Sequence, residues 1–424
     1  MMKHKLIPLL LAGLTLLSAC GKQQPKTVTE AMLSETADAA EASTAPPTTE
    51  TAEPPVTAPP EPEPVPDRLK EDLNAIAERY GATGAAVAVL TDGQVTGTYV
   101  YGVRDRAAGT PVTEDTKFRA ASLSKLVIAM VACIAEEQGV IDLQADIGTY
   151  LGYPVRNPYY PGTPITPQML LCHVSSISNS MAFLTSRNAH SSASLQTLLS
   201  SADTYLYTAP GTYDFYSNLG AATLAAAIEK AAGKPFGTLA RETLFDPMGL
   251  DCAFLAADIA AQDQISTLYY ADGSVGMSLR QQLDESACDT LGQTHHLYQG
   301  NLTISAKDYA KLLTLLLNDG VFNGTQILPP GAADEILRTH FDSAPTEGYG
   351  VYLLPNLLPK RTVWGHTGSN FGVYNGFAIT PDEKNGVVVF TNGAVGDDGP
   401  DGFYGVCAEI VRAVYAHIDE TSPK

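Results

Sequence analysis

The sequence predicts an α+β protein in which one central antiparallel sheet, built from both ends of the folded part of the chain, is flanked by helices and interrupted by an inserted helical region. Three observations predict it. Strand-like runs at 85–90 and 95–101 are matched near the other end by runs at 373–379 and 386–390. Helical spacing opens and closes the folded part. Between the two sets of strands, from about 122 to 300, helix-like and loop-like segments dominate.

Each element has its own signal. Leu69, Leu73, Ile76 and Tyr80 recur at helical spacing, and Gly81 follows as a C-cap. The runs at 85–90 and 95–101 flank Asp92-Gly93, a strong hairpin signal. The run 126–134 is apolar nearly all round, as a buried helix should be. Helix-like segments follow at 219–232 and 236–244, and strands at 373–379 and 386–390 pair across Pro381-Asp382. A helix over 403–417 closes the chain. The sheet region is therefore expected at about 68–121 and 301–424, with the helical region at about 122–300.

The 424 residues carry a net charge of −20, which disfavours phosphate backbones and excludes nucleic acid as a natural partner. That charge is unevenly spread. Residues 1–20 hold Lys3 and Lys5 and no acids, whereas 21–67 hold nine acids against Lys22 and Lys26. The basic start, a short apolar stretch at 6–17 and small residues before Cys20 form a secretory signal over 1–19. The segment that follows, to residue 67, is rich in Pro, Thr and Glu and lacks apolar periodicity, so an extended linker is expected. Its roughly 45 residues could reach on the order of 140 Å in polyproline II geometry.

The chemistry is concentrated in three short motifs. Ser122-Leu123-Ser124-Lys125 opens the buried helix, and residues three apart share a face, which brings the Lys125 amine towards the Ser122 hydroxyl. A serine at a helix start sits where developing negative charge is favoured, and burial disfavours a charged lysine, making Lys125 a candidate base. Tyr216-Ser217-Asn218 precedes the helix at 219–232: a tyrosine can pass a proton and an asparagine can orient a substrate amide. His366-Thr367-Gly368-Ser369 leads into the strand at 373–379, and its small Thr-Gly edge lets a substrate backbone lie alongside. Taken singly, each is weak; the ordered trio is specific.

On these residues the chain resembles the serine β-lactamase and penicillin-binding protein superfamily, in its class C-like branch. The motifs match Ser-x-x-Lys, Tyr-x-Asn and Lys/His-Thr-Gly, and the likeness extends over nearly all of 68–424. The resemblance implies a β-lactamase-like fold, Ser122 as acyl-accepting nucleophile, and Lys125 with Tyr216 as the general acid/base pair. It further implies that Asn218, His366, Thr367 and Gly368 bind substrate and that the backbone N–H groups of Ser122 and Ser369 form the oxyanion hole. Substrates would be D-Ala muropeptides, β-lactams or related amides and esters, with no cofactor and no metal. Leu17-Ser18-Ala19-Cys20-Gly21 resembles a bacterial lipobox, which implies lipidation of Cys20 and an extracytoplasmic protein anchored to the cell membrane. An esterase of the same family, or a non-catalytic peptidoglycan-binding lipoprotein, remains the alternative.

Two departures from the family pattern matter. His366 stands where many β-lactamases have lysine, so a weaker grip on a substrate carboxylate is expected. Ser175-Ser176 lacks the glycine usual in that turn, and His173 beside it reads as structural. His295 and His296 are neighbours whose side chains point apart, which argues against a metal site. Of the cysteines beyond Cys20, Cys133 falls in the buried helix, and Cys252 with Cys288 is the pair that could form a disulfide.

Overall fold

A computed structural model of the chain describes residues 61–186 and 194–421. Cys20, the signal segment at 1–19 and all of the linker before residue 61 lie outside the described residues. The main elements are β1 (Glu63–Pro64), α1 (Asp67–Arg79), β2 (Gly84–Thr91), β3 (Gln94–Asp105), β4 (Thr110–Pro111), α2 (Ser124–Glu137), α3 (Asn218–Ala232), α4 (Ala306–Leu317), β5 (Tyr352–Leu353), β6 (Trp364–Asn370), β7 (Val373–Thr380), β8 (Asn385–Asn392) and α5 (Gly405–Thr421).

The sheet runs β1-β3-β2-β8-β7-β6-β5, with β4 paired to β3, so strands from both ends of the chain meet where β2 lies against β8. The β2–β3 hairpin turns through Asp92 and Gly93, both at positive φ, with Thr91 opposite Gln94. Two successive left-handed residues match the twist of the flanking strands, which is why Asp-Gly is favoured there.

Alternation along the strands divides the core in two. Ala86, Ala88 and Leu90 of β2 and Val388 and Phe390 of β8 face a large cluster containing α2, α3 and α4. Val87, Val89, Val387 and Val389 face the other way, against Leu69, Leu73 and Ile76 of α1 and Ile410, Val411 and Val414 of α5. A period-2 strand with helices on both faces must be apolar on both, and these strands are. α2 is buried along nearly its whole length, from Ser124 to Ala135, as its all-round apolar sequence requires.

The helical region is inserted at a neck. Lys117–Arg119 pairs antiparallel with Thr303–Ser305, so the chain leaves and re-enters the sheet layer at adjacent points. Within the insertion a small ladder, Leu268–Tyr269 with Val275–Met277, adds strand structure that the helical expectation did not include. The segment expected as a helix over 236–244 divides: Phe236–Ala240 is α-helical and Arg241–Phe245 widens into a π turn.

Three expectations are corrected. The sheet is not purely antiparallel, because β1 pairs parallel with β3, Glu63 opposite Gly97 and Pro64 opposite Thr98. The linker accordingly ends before residue 67: Val65 is buried, and an edge strand tolerates proline because no further strand needs its missing N–H. Cys252 and Cys288 form no disulfide; both thiols are free, Cys252 buried and Cys288 exposed. Spacing in sequence says nothing about the Cα separation that a disulfide demands.

Candidate active site

Ser122 sits in a 3₁₀ turn, Ala121–Leu123, that runs directly into α2. The turn is held from several sides. Ala120 N–H donates to Leu302 O at 2.7 Å, Leu302 N–H donates to Ser124 Oγ at 3.1 Å, and the Tyr309 hydroxyl donates to Leu123 O at 3.0 Å. Asn375 of β7 donates from Nδ2 to Arg119 O at 2.8 Å and accepts from Thr391 N–H of β8 at 3.1 Å, tying the approach to the turn into the sheet. Ala121 has φ +52°, a conformation that costs a non-glycine residue on the order of 1–2 kcal/mol and persists only where the surroundings impose it.

The three motifs meet at the Ser122 hydroxyl. Tyr216 donates its phenol to Ser122 Oγ at 2.6 Å. Lys125, one turn along α2, donates from Nζ to Ser122 Oγ at 3.2 Å, to Asn218 Oδ1 at 2.8 Å and to Gln299 O at 2.9 Å. Three acceptors match the three N–H bonds of an ammonium. The same Nζ lies 4.8 Å from the centre of the Tyr216 ring.

Tyr216 and Asn218 are delivered by the start of α3. Ser217 is its N-cap, its Oγ accepting from Gly220 N–H at 2.9 Å. Asn179 stitches the approach: its Oδ1 accepts from Asn218 N–H at 2.8 Å and Leu219 N–H at 3.2 Å, and its Nδ2 donates to Tyr216 O at 3.2 Å. His173 is buried at φ +54°, accepts from Ser217 N–H at Nδ1 and packs its ring 4.5 Å from that of Tyr216. Ser176, in the turn where the resemblance led us to expect a glycine, takes φ +64°, so the left-handed backbone is kept without one.

β6 forms the opposite wall. Its pairing with β5 covers only Trp364 and Gly365, so residues 366–370 have a strand on one side alone, β7. The Cβ of an alanine at 368 would fall 2.5 Å from Ala120 O and 3.0 Å from the Ser122 amide nitrogen, so glycine is what lets β6 close on the nucleophile turn. Gly368 therefore stands behind the site, whereas Ser122, Tyr216, Asn218, His366, Thr367 and Ser369 line a cleft of about 390 Å³. His366 is only 4% exposed; burial, and then the nearby Lys125 charge, push its imidazole down to about 3, so it is neutral at physiological pH.

A family model described as Beta-lactamase matches residues 68–406. The chain belongs to the Beta-lactamase family. As a Beta-lactamase family member it is a serine hydrolase. It is 25% identical over 336 residues to penicillin-binding protein 4 of Amycolatopsis lactamdurans, covering 77% of this chain and 85% of that protein. It is 31% identical over 193 residues to the D-alanyl-D-alanine-carboxypeptidase/endopeptidase AmpH of Escherichia coli K12, which covers 42% of this chain and about half (49%) of that protein. Among solved structures, a class C β-lactamase from Rhodobacter sphaeroides superposes with a TM-score of 0.62 at 20% identity, covering 83% of this chain and 99% of that one.

Several residues of this Beta-lactamase family site carry no signal in the sequence. Asn179 and Gln299 act through loops whose paths only the fold reveals, and Gln299 contributes a backbone carbonyl. Tyr352 packs its ring, tilted by 59°, 5.1 Å from that of His366, and Asp401 and Tyr404, from the segment before α5, complete the cleft. Tyr404 donates its phenol to Ser369 Oγ at 2.8 Å.

Proposed function

We propose that the chain is an extracytoplasmic, lipid-anchored serine hydrolase that forms an acyl-enzyme on Ser122, acting on D-Ala muropeptides, β-lactams or related amides and esters. The observation that carries this reading is the contact of both Tyr216 Oη and Lys125 Nζ with Ser122 Oγ. The Lys125 charge beside the ring favours Tyr216 as its phenolate, and that phenolate takes the serine proton, becoming the phenol, as Oγ attacks the carbonyl carbon. The tetrahedral oxyanion is held by the N–H groups of Ser122 and Ser369, a contribution that acts on rate because the charge exists only in the intermediate. Collapse expels the leaving amine or alcohol with a proton returned through Tyr216, and water then hydrolyses the ester on Ser122.

The lipid anchor at Cys20 and the linker beyond it supply the location, on the strength of the lipobox-like sequence alone. A fluorescent penicillin and intact mass spectrometry test the chemistry. A stable adduct on Ser122 supports a penicillin-binding peptidase, and an adduct lost with turnover supports a β-lactamase. The neutral His366 favours an esterase as the second reading, for which no penicillin adduct but turnover of simple esters is the expected result. Failure to hydrolyse any ester, amide or lactam overturns the enzyme reading.

A further inference from the structure

His173 grips the segment that carries Tyr216 more closely than a turn residue needs to. Its backbone O accepts from Phe215 N–H at 2.9 Å and its Nδ1 accepts from Ser217 N–H at 3.3 Å, so one residue holds the chain on both sides of Tyr216. Its ring also lies 4.5 Å from the Tyr216 ring, tilted by 55°. Tyr216 needs such a hold. It precedes Ser217, the N-cap of α3, and so stands outside the helix whose own hydrogen bonds would otherwise fix it. Asn179 steadies the same segment through Tyr216 O and the N–H groups of Asn218 and Leu219, but those bonds are to backbone.

The turn that bears His173 is itself anchored. Val174 N–H donates to Met169 O at 2.9 Å, Val174 O accepts from Gly211 N–H at 2.8 Å, and Cys172 and Val174 are fully buried. Ser217 N–H can only donate, so His173 Nδ1 offers a lone pair and Nε2 bears the proton. Burial, and then the Lys125 charge, push the imidazole well below its ordinary range, so this neutral form persists at physiological pH. The arrangement costs stability twice. Nε2–H is buried with no hydrogen-bond partner, and the residue sits at φ +54°. An apolar side chain packed behind Tyr216 would avoid the orphaned donor. Local rules broken at one residue, beside the group that moves the proton, point to function and not to packing alone.

We propose that His173 is a positioning residue for acylation: its bond to Ser217 and its ring together keep the Tyr216 oxygen at hydrogen-bond distance from Ser122 Oγ. This rests on Ser122 being the nucleophile and Tyr216 its proton acceptor. His173 gains and loses no proton in the step and acts through Tyr216. A shift of Tyr216 by about 1 Å is enough to cost on the order of 10²-fold in rate, because proton transfer requires that contact.

The test measures, at pH 7, the rate of Ser122 labelling by an uncharged fluorophosphonate, read by intact mass, together with kcat and KM for p-nitrophenyl acetate. His173→Ala removes both acceptor and ring. His173→Asn keeps an acceptor on a residue that tolerates positive φ and removes the ring. His173→Ala should slow labelling and lower kcat by about 10- to 100-fold, with KM within about twofold of the parent, and His173→Asn should recover part of that loss. In a Tyr216→Phe background neither substitution should slow labelling by more than about twofold, because the group they position is gone. A residue that only stabilises the fold would slow both backgrounds alike. Equal losses in the two backgrounds, or a parental rate for His173→Ala, overturn this inference alone. Should His173→Ala fail to fold, His173→Asn still decides the matter: a several-fold loss confined to the parent background supports the inference, and a parental rate or equal losses overturn it. Labelling of Tyr216→Phe at the parental rate, or no labelling of Ser122 at all, overturns it together with the roles proposed for those two residues.

Discussion

Ser122 Oγ receives hydrogen bonds from Tyr216 and Lys125, groups borne by different elements and 91 residues apart in sequence. Tyr216→Phe and Lys125→Ala should each lower kcat by about 10²–10⁴, the range of general acid–base contributions, while melting curves stay close to the parent. The double variant should be little worse than either single one, because residues acting as a unit are not additive. His366→Lys supplies a donor where a buried neutral imidazole now sits, so turnover of a carboxylate-bearing substrate should rise. Because burial and Lys125 hold His366 at about 3, that substrate's rate in the parent should show no step near the ordinary imidazole range between pH 5 and 8, and a step there would count against the assignment. The residues that spacing exposed are those whose chemistry is unusual in combination: Ser122 with Lys125, Tyr216 with Asn218, His366 with Thr367 and Gly368. Asn179 and Asp401 were not legible, since an asparagine or aspartate in a loop reads as a turn residue until the loop's path is known.

At the scale of elements, the buried helix, the Asp92-Gly93 hairpin and the pairing of strands from both ends of the chain were legible because each rests on local periodicity or turn chemistry. The Leu268–Tyr269 ladder and the π turn at Arg241–Phe245 were not, because a two-residue strand has no period and a widened turn keeps helical spacing. The site depends most on the contact of β6 with the turn before α2. Gly368→Ala would push a methyl to within 2.5 Å of Ala120 O and 3.0 Å of the Ser122 amide nitrogen, both backbone atoms that cannot swing aside. We expect a loss of about 1–3 kcal/mol in stability from overpacking, together with a fall in kcat larger than any rise in KM, because the Ser122 amide is one of the proposed oxyanion donors. Urea denaturation and steady-state kinetics on the same variant separate the two effects. A kcat equal to the parent's would show that the Ser122 amide is not needed.

At the scale of the whole molecule, stability should fall at both ends of the pH range, for opposite reasons. Burial depresses His173, His295, His340 and His366, so the unfolded chain binds protons there first and stability is lost as pH falls below the ordinary imidazole value of about 6.5. Glu347 is the reverse: burial and the Asp214 charge raise it to about 9, so its contribution is complete below its ordinary value and is lost as pH rises towards 9. Glu347→Gln, which imitates the protonated acid, should flatten the alkaline fall measured by urea denaturation at about pH 5, 7 and 9, and leave the acid limb unchanged. A second whole-molecule property follows from the order of strands. β1 lies at one end of the sheet and β6, beside Ser122, five strand positions away, about 24 Å at ordinary strand spacing. A chain entering through Glu61 therefore joins the domain far from the cleft. That entry is part of the fold: Val65 is buried against Leu69 and Val89, its N–H donates to Thr98 O at 2.8 Å, and Glu61 lies within reach of Lys307. Truncation before residue 61 should leave the melting temperature unchanged. Truncation before residue 67 removes a buried valine worth about 1.5 kcal/mol or more, and should lower the melting temperature by a few degrees while kcat on a simple ester stays the same. Equal melting temperatures for the two truncations would mean that β1 adds nothing to the domain, and the boundary would return to residue 67.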